Sequence, residues 1–236
     1  VCILLRAQTG HDFSLYKKST LYRRIERRIA IHQLAGIADY AIFLQSNPQE
    51  IDLLFKELLI GVTQFFRDPA AWAWLQEHVL PAMIRANPPG NVLRAWVAGC
   101  SSGEEAYSLA IAFQEAVDRI KPKERVELHI FATDLDPDAI ARARQGLYPA
   151  SIAGDVSAER LARFFREDVG KYRVSQNIRQ MVVFAPHNVT MDPPFTRLDI
   201  LTCRNLMIYL GPALQKKLVP LFHYSLKPDG ILFLGS

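Results

Sequence analysis

Two adjacent acids, Glu104 and Glu105, follow a turn of small residues, Gly99-Cys100-Ser101-Ser102-Gly103, and a third acid, Asp134, stands about 30 residues further on. Ahead of the turn lies the apolar run Val92, Leu93 and Ala95 to Ala98; behind it Ala106, Leu109, Ala110 and Phe113 recur at helical spacing. Strand, tight turn, helix is the opening unit of a doubly wound sheet, in which a ligand lies over the carboxyl ends of the strands. Phosphate-binding versions of this turn offer bare N–H groups at the helix start, and acids there disfavour pyrophosphate. The pattern suits a hydroxyl-bearing or cationic ligand such as S-adenosylmethionine, and equally suits two acids that only complement the helix dipole. Asp134 ends a second apolar run (LHIFAT, 128–133), where Rossmann-like domains set an acid against ribose hydroxyls. It could instead cap the next helix, a task that Asp136 suits better because Pro137 follows it. Asn188 and Val189 after VVFAP, and Arg204 and Asn205 after LDILTC, stand at the ends of later strands and border the same crevice.

These groups need a framework. Residues 1–85 read as helical throughout, with stripes at Leu21, Ile25, Ile29 and His32, at Tyr40, Phe43 and Leu44, and at Ile51, Leu54, Phe55, Leu58 and Leu59. Asp68-Pro69 reads as an N-cap with proline at the first helical position, opening a helix that carries Trp72, Leu75, Gln76 and Val79. The breaker cluster Ala86-Asn87-Pro88-Pro89-Gly90-Asn91 predicts a linker at 86–91. Residues 92–236 then alternate: helices at about 138–145, at 157–165 capped by Ser157, and near 212–222; strands at 172–174, 181–184, 198–203 and 230–234. Strands alternating with helices predict an α/β domain with a mostly parallel sheet behind a small all-helical domain.

Half of the 236 residues are apolar, enough for a sizeable core. No stretch approaches the roughly 18 to 20 apolar residues of a membrane span, and the first residues do not form a signal peptide. A chain that begins at Val1 and stops in an apolar run at Ser236 reads as a C-terminally truncated piece of something longer. Cys2, Cys100 and Cys203 are too few and scattered for a disulfide framework, so a reducing cytoplasm is expected. His78, His129, His187 and His223 lack ligand spacing, and no metal site is expected. The net charge is +4, but Lys17, Lys18, Arg23, Arg24, Arg27 and Arg28 against Glu26 alone give a local +5, leaving the remainder at −1. Such a distribution is one basic helix and not a nucleic-acid-binding surface.

Five segments, GVTQFFRDP (61–69), AWVAGCSSGEEAYSLAI (95–111), FATDLDPDAIARARQGLY (131–148), HNVTMDPPFTRLDILTCRNLMIYL (187–210) and LKPDGILFLGS (226–236), resemble in content and order the CheR family of chemotaxis receptor methyltransferases. The resemblance implies a Rossmann-like class I methyltransferase domain, a small N-terminal all-helical domain and a small inserted β-subdomain. It also implies transfer of a methyl group from S-adenosylmethionine to receptor glutamates, leaving S-adenosylhomocysteine. Carried over residue by residue, it puts Thr63 and Arg67 at the methionine end of the donor with Glu105 in the same pocket. Asp134 would hold the ribose, Asn188 and Val189 would edge the adenine, and Arg204, Asn205 and Tyr209 would wall the transferred methyl. Family members often carry asparagine two positions before the threonine of the first segment, where this chain has Gly61.

The implied chemistry suits these residue types. A glutamate acceptor, with a reference pKa of about 4.3, is already ionised at neutral pH and needs no general base. Catalysis is then alignment of carboxylate oxygen, methyl carbon and sulfur. Arg67 can hold a carboxylate in bidentate fashion, the donor's own or the acceptor's, and Tyr209 offers a ring face to a sulfonium, or else is a core tyrosine beside Leu206 and Leu210. Two other functions share this scaffold. One is a methyltransferase acting on RNA or a small molecule, for which Met191-Asp192-Pro193-Pro194-Phe195 imitates an amino-methylase signature, but in the loop before the LDILTC strand. The other is a non-catalytic domain that binds S-adenosylmethionine for an attached sensor. For the leading reading, the basic helix 17–28 is expected to dock acidic receptor helices. The short stretch 165–174, with Gly170 as its one glycine, predicts no grip on a receptor's C-terminal pentapeptide.

Overall fold

A computed structural model describes residues 1–235. Its contacts divide the chain into two units: Val1–Ile60 with Asn205–Pro220, and Gly61–Arg204 with the residues from Leu221 onward.

In the first unit, α1 (Cys2–Thr9), α2 (Lys18–Ile31), α3 (Ile37–Ser46) and α4 (Pro48–Leu58) close round a core of Leu5, Phe13, Leu21, Ile25, Tyr40, Leu44, Ile51, Leu54 and Leu58. Leu21 and Ile25, one turn apart, are the buried face of α2. Its charge is less available than the sequence suggests. Arg28 Nε and Nη2 donate to the Glu50 carboxylate at 2.7 and 2.5 Å, the Tyr40 hydroxyl donates to it at 2.7 Å, and His32 Nε2 lies 2.9 Å away. The Glu50 side chain is only 4% exposed and that of Arg28 13%. Arg28 therefore turns inward, because a lone buried carboxylate would cost several kcal/mol, and Arg27 pairs with Glu57 at 3.3 Å. Lys17, Lys18 and Arg23 stay exposed. Burial pushes the Glu50 pKa up, but the hydrogen bonds from Arg28, Tyr40 and His32 outweigh it and hold the carboxyl at about 2. The segment after Arg204 belongs to this unit through backbone bonds: Lys17 N–H to Tyr209 O at 2.9 Å, Gly211 N–H to Leu15 O at 2.8 Å, and a bridge between Tyr16 and Leu210.

The second unit begins with α5 (Pro69–Trp74), a π-helical turn (Leu75–Val79) and α6 (Leu80–Ala86). Then come β1 (Val92–Ala98), α7 (Glu104–Ile120), β2 (Glu127–Asp134), α8 (Pro137–Gln145), β3 (Leu147–Pro149), α9 (Ala158–Phe164), β4 (Phe165–Asp168), β5 (Lys171–Val174), α10 (Gln176–Arg179), β6 (Val182–Pro186) and β7 (Leu198–Cys203). The last strand, β8 (Leu226–Leu234), follows α11 (Pro212–Ser225). Five parallel strands make one sheet in the order β6-β2-β1-β7-β8. Strand order reverses at β1, so the crevice between the carboxyl ends of β1 and β7 is the topological switch point. The side chains of Trp72, Leu75, Val79, Leu80 and Ile84 share a core with Leu93, Val97 and Leu109. Residues 69–86, expected with the N-terminal helices, thus pack on the sheet, and the contact boundary falls at residue 60 instead of at 86–91. An apolar stripe states that a face is buried but not in which core.

A second, antiparallel sheet has the order β3-β5-β4. The β4–β5 hairpin turns through Val169 and Gly170, both left-handed (φ 46° and 72°), as a two-residue turn with strand-matching twist requires. Among the described residues, no helix is long and apolar enough to cross a membrane, and no group of three or more His, Cys, Asp or Glu could hold a metal ion.

Candidate active site

The small-residue turn is tied to the strand beside it. Gly99 and Cys100 N–H both donate to Thr133 O, at 2.8 and 2.9 Å, and the Asp134 carboxylate accepts Ser101 N–H at 2.7 Å and Asp136 N–H at 2.9 Å. Gly103 sits at φ 97°, and a Cβ there would lie 2.9 Å from Ala143 Cβ and 3.1 Å from the Phe184 ring. Only glycine lets α7 start that close to its neighbours. Asp136 caps α8, accepting Asp138 N–H at 2.8 Å, which leaves Asp134 to fix the turn. Burial raises the Asp134 pKa while the backbone N–H groups oppose it. Each of its oxygens carries a second lone pair for a hydroxyl.

Glu104 and Glu105 have different tasks. Ser102 Oγ donates to both oxygens of Glu104, at 3.0 and 2.9 Å, closing the turn on itself. Glu105 faces β7, whose Thr202 donates to its Oε1 at 2.5 Å. Burial lifts the Glu105 pKa to about 7, against the pull of Thr202 and the positive charges of Arg204 and Arg67. Near neutral pH this carboxyl is divided between its two forms, and a cationic ligand group would drive it to the ionised one.

Arg204, next after β7, is a buried clamp. Its side chain is 1% exposed and lies over the Phe233 and Trp72 rings, with centroid distances of 4.6 and 5.5 Å. Nη1 donates to Arg67 O at 2.8 Å and Nη2 to Asp68 Oδ2 at 2.7 Å, while Nε has no partner. The clamped segment is strained, since Phe66 (φ 48°) and Asp68 (φ 58°) are left-handed on either side of Arg67. Phe66 N–H is also held, by Ser108 Oγ at 3.0 Å. Asp68, expected as a helix cap, makes no side-chain cap bond; Arg204 takes its carboxylate. Arg67 reaches back to Val62 O at 3.2 Å, and Thr63 is half-buried in the same loop. At Gly61 a Cβ would meet Ser101 Oγ at 3.1 Å, so this loop runs hard against the small-residue turn.

The remaining candidates make other contacts. Asn188 builds its own loop: Oδ1 accepts Thr190 N–H at 3.0 Å and the Thr190 hydroxyl at 2.7 Å, and its N–H donates to Asp192 Oδ2 at 2.7 Å. Val189 is half-buried, and His187 N–H ties the loop to Asp134 O at 2.9 Å. Asn205 (φ 59°) and Tyr209, the latter closing the short 3-10 turn Met207–Tyr209, cluster with the helical unit. As site residues, Thr202 and Asp68 escaped the sequence analysis, which read Asp68 as a helix cap alone. The first left a signal, a lone hydroxyl in a fully apolar strand end; the second left none, because its partner is 136 residues away.

Residues 61–236 match the family described as CheR methyltransferase, SAM binding domain, and residues 1–59 match CheR methyltransferase, all-alpha domain. An uncharacterized 104.1 kDa protein of Rhodobacter capsulatus is 42% identical over 225 residues, which cover 95% of this chain and 23% of that protein. Chemotaxis protein methyltransferase 2 of Vibrio cholerae is 31% identical over 97% of this chain and 80% of its own length, and the protein of the same description in Pseudomonas aeruginosa is 32% identical over 96% and 80%. The chain thus spans less than a quarter of the first relative and four fifths of the other two.

Proposed function

Because the chain belongs to the CheR methyltransferase family and carries both its S-adenosylmethionine-binding and all-α domains, we propose that it methylates glutamate side chains of chemoreceptors, with S-adenosylmethionine as donor. The observation that carries the reading is the group Arg67, Glu105, Thr202 and Arg204 at the switch point of the sheet. The donor fits what lines that point: acids in place of a phosphate cradle, Asp134 for ribose hydroxyls, and Glu105 poised to ionise against an ammonium. When bound, it supplies an electrophilic methyl group on a sulfonium. The protein's part is alignment, as an ionised glutamate needs no base. Arg67, whose backbone carbonyl Arg204 holds, grips a carboxylate. Thr63 flanks it at the methionine end, and Asn188 and Val189 edge the adenine. Asn205 and Tyr209 are assigned to the methyl-transfer wall by family resemblance alone.

The receptor is met in the cytoplasm through the exposed cations Lys17, Lys18, Arg23 and Arg27, with Arg28 excluded by its pair with Glu50. No C-terminal pentapeptide tether is needed: the β4–β5 hairpin is closed by the two-residue turn Val169-Gly170, too short for a gripping loop. The test is transfer of tritiated methyl from S-adenosylmethionine to cytoplasmic receptor fragments, with binding of S-adenosylhomocysteine measured by calorimetry. Methyl in glutamate esters is expected, with Asp134→Ala weakening binding by about 1 to 3 kcal/mol. Binding without transfer would favour the sensor reading, and no binding at millimolar ligand would end both.

A further inference from the structure

A cavity of about 340 Å³ opens beside the edge strand β6, and none of the residues assigned above lines it. Its inner wall is apolar, formed by Tyr107, Val182 and Phe184. The Tyr107 and Phe184 rings meet edge to face at 5.3 Å, and the Tyr107 hydroxyl is committed to Ala143 O at 2.8 Å. Two arginines, Arg144 and Arg179, and two exposed amides, Gln176 and Gln180, complete the lining, with no acid among them.

Among the described residues lining the cavity, neither arginine has an acid beside it. Arg144 donates to Phe184 O from Nε at 3.2 Å and from Nη2 at 2.7 Å, which fixes its guanidinium plane on the backbone of β6. Arg179 lies against Gly146, where φ is 58° and a Cβ would come within 2.9 Å of its Cδ, so the glycine makes room for the arginine stem. The Nε of Arg179 is buried and has no hydrogen-bond partner. A buried donor left unmade costs on the order of 1 to 3 kcal/mol, more when charged, and such an orphan group calls for a water, an ion or a function to account for it.

We propose that this cavity binds a small phosphate monoester. A monoester carries about −1.5 to −2 charge near neutral pH, which two unpaired guanidinium groups match and one carboxylate would not. With the Nε side of Arg144 spent on Phe184 O and the Nε of Arg179 buried, it is the outer Nη1–Nη2 edge of each guanidinium that suits contact with its oxygens, and the glutamine amides add donors. The volume lies at the small end of the range for organic ligands, beyond what a bare phosphate fills, so the organic part rests on Tyr107, Val182 and Phe184.

Calorimetric titration of the chain saturated with S-adenosylhomocysteine tests this, with adenosine monophosphate, inorganic phosphate and adenosine as probes. The monophosphate is expected to bind saturably, phosphate to compete weakly, and adenosine not to bind. Arg179→Gln should weaken the monophosphate by about tenfold or more. Gln176→Glu, an exposed change at the mouth, should do the same by charge repulsion without disturbing the core. Neither variant should alter affinity for S-adenosylhomocysteine. Absence of monophosphate binding at millimolar concentration overturns the proposal, as does equal binding of adenosine or equal affinity in both variants. If S-adenosylhomocysteine itself does not bind, the two variants still report on this cavity, so the two failures are separable.

Discussion

Arg204 acts through other residues. Its planar fork spans the Arg67 carbonyl and the Asp68 carboxylate, and a lysine ammonium cannot reach both from one fixed plane. Arg204→Lys is therefore expected to lower kcat for methyl transfer by roughly ten- to a hundredfold, the equivalent of one charged hydrogen bond, with KM for receptor nearly unchanged; a variant with full kcat would remove the clamp from the mechanism. Glu105 gives a pH signature. Its carboxyl is raised to about 7, so a ligand ammonium that requires the ionised form binds more tightly as pH rises through that value. The same shift has the opposite sign for folding: the protonated form is favoured in the native state, and that contribution is lost as pH climbs from the ordinary 4.5 to about 7. Titrations of S-adenosylhomocysteine across this window should show the rise in the native chain and a flat profile in Glu105→Gln.

At the scale of elements, the helical unit depends on one buried carboxylate. Glu50→Gln strands Arg28 and should cost about 3 kcal/mol in thermal or denaturant unfolding. Acidification should act in two stages. Burial lowers the His11 pKa from 6.5 to about 4, so between those values the unfolded chain takes up a proton that the native one refuses, and stability falls as pH drops. Glu50, depressed from 4.5 to about 2, extends the loss below that window. The lower stage should vanish in Glu50→Gln; its survival there would assign it to another group. Reversing Lys17, Lys18 and Arg23 to glutamate should slow receptor methylation in a salt-dependent way with cofactor affinity intact, whereas equal rates would make this a solvated face only. The β4–β5 hairpin should not bind a receptor C-terminal pentapeptide, and micromolar affinity would contradict that expectation.

Across the whole molecule, the chain leaves the helical unit at residue 60 and returns to it for Asn205–Pro220. A chain starting at Gly61 would strip Tyr209, Leu210 and Gly211 of their backbone partners Lys17, Tyr16 and Leu15. It should bind a hydrophobic dye and lose methyl transfer; native activity would show that the return segment stands alone. The sequence by itself determined what rests on local or alternating pattern. The strand, small-residue turn and acid-led helix, the caps Asp136 and Ser157, the parallel α/β order and the placing of Asp134 all follow from spacing over a few residues. Tertiary structure decided what depends on partners distant in the chain. That helix 69–86 joins the sheet, that Arg28 turns inward to Glu50, and that Asp68 answers Arg204 instead of capping a helix are choices among faces with the same local pattern. Periodicity fixes which side of an element is apolar; only the packed fold fixes which charge, and which core, lies opposite it.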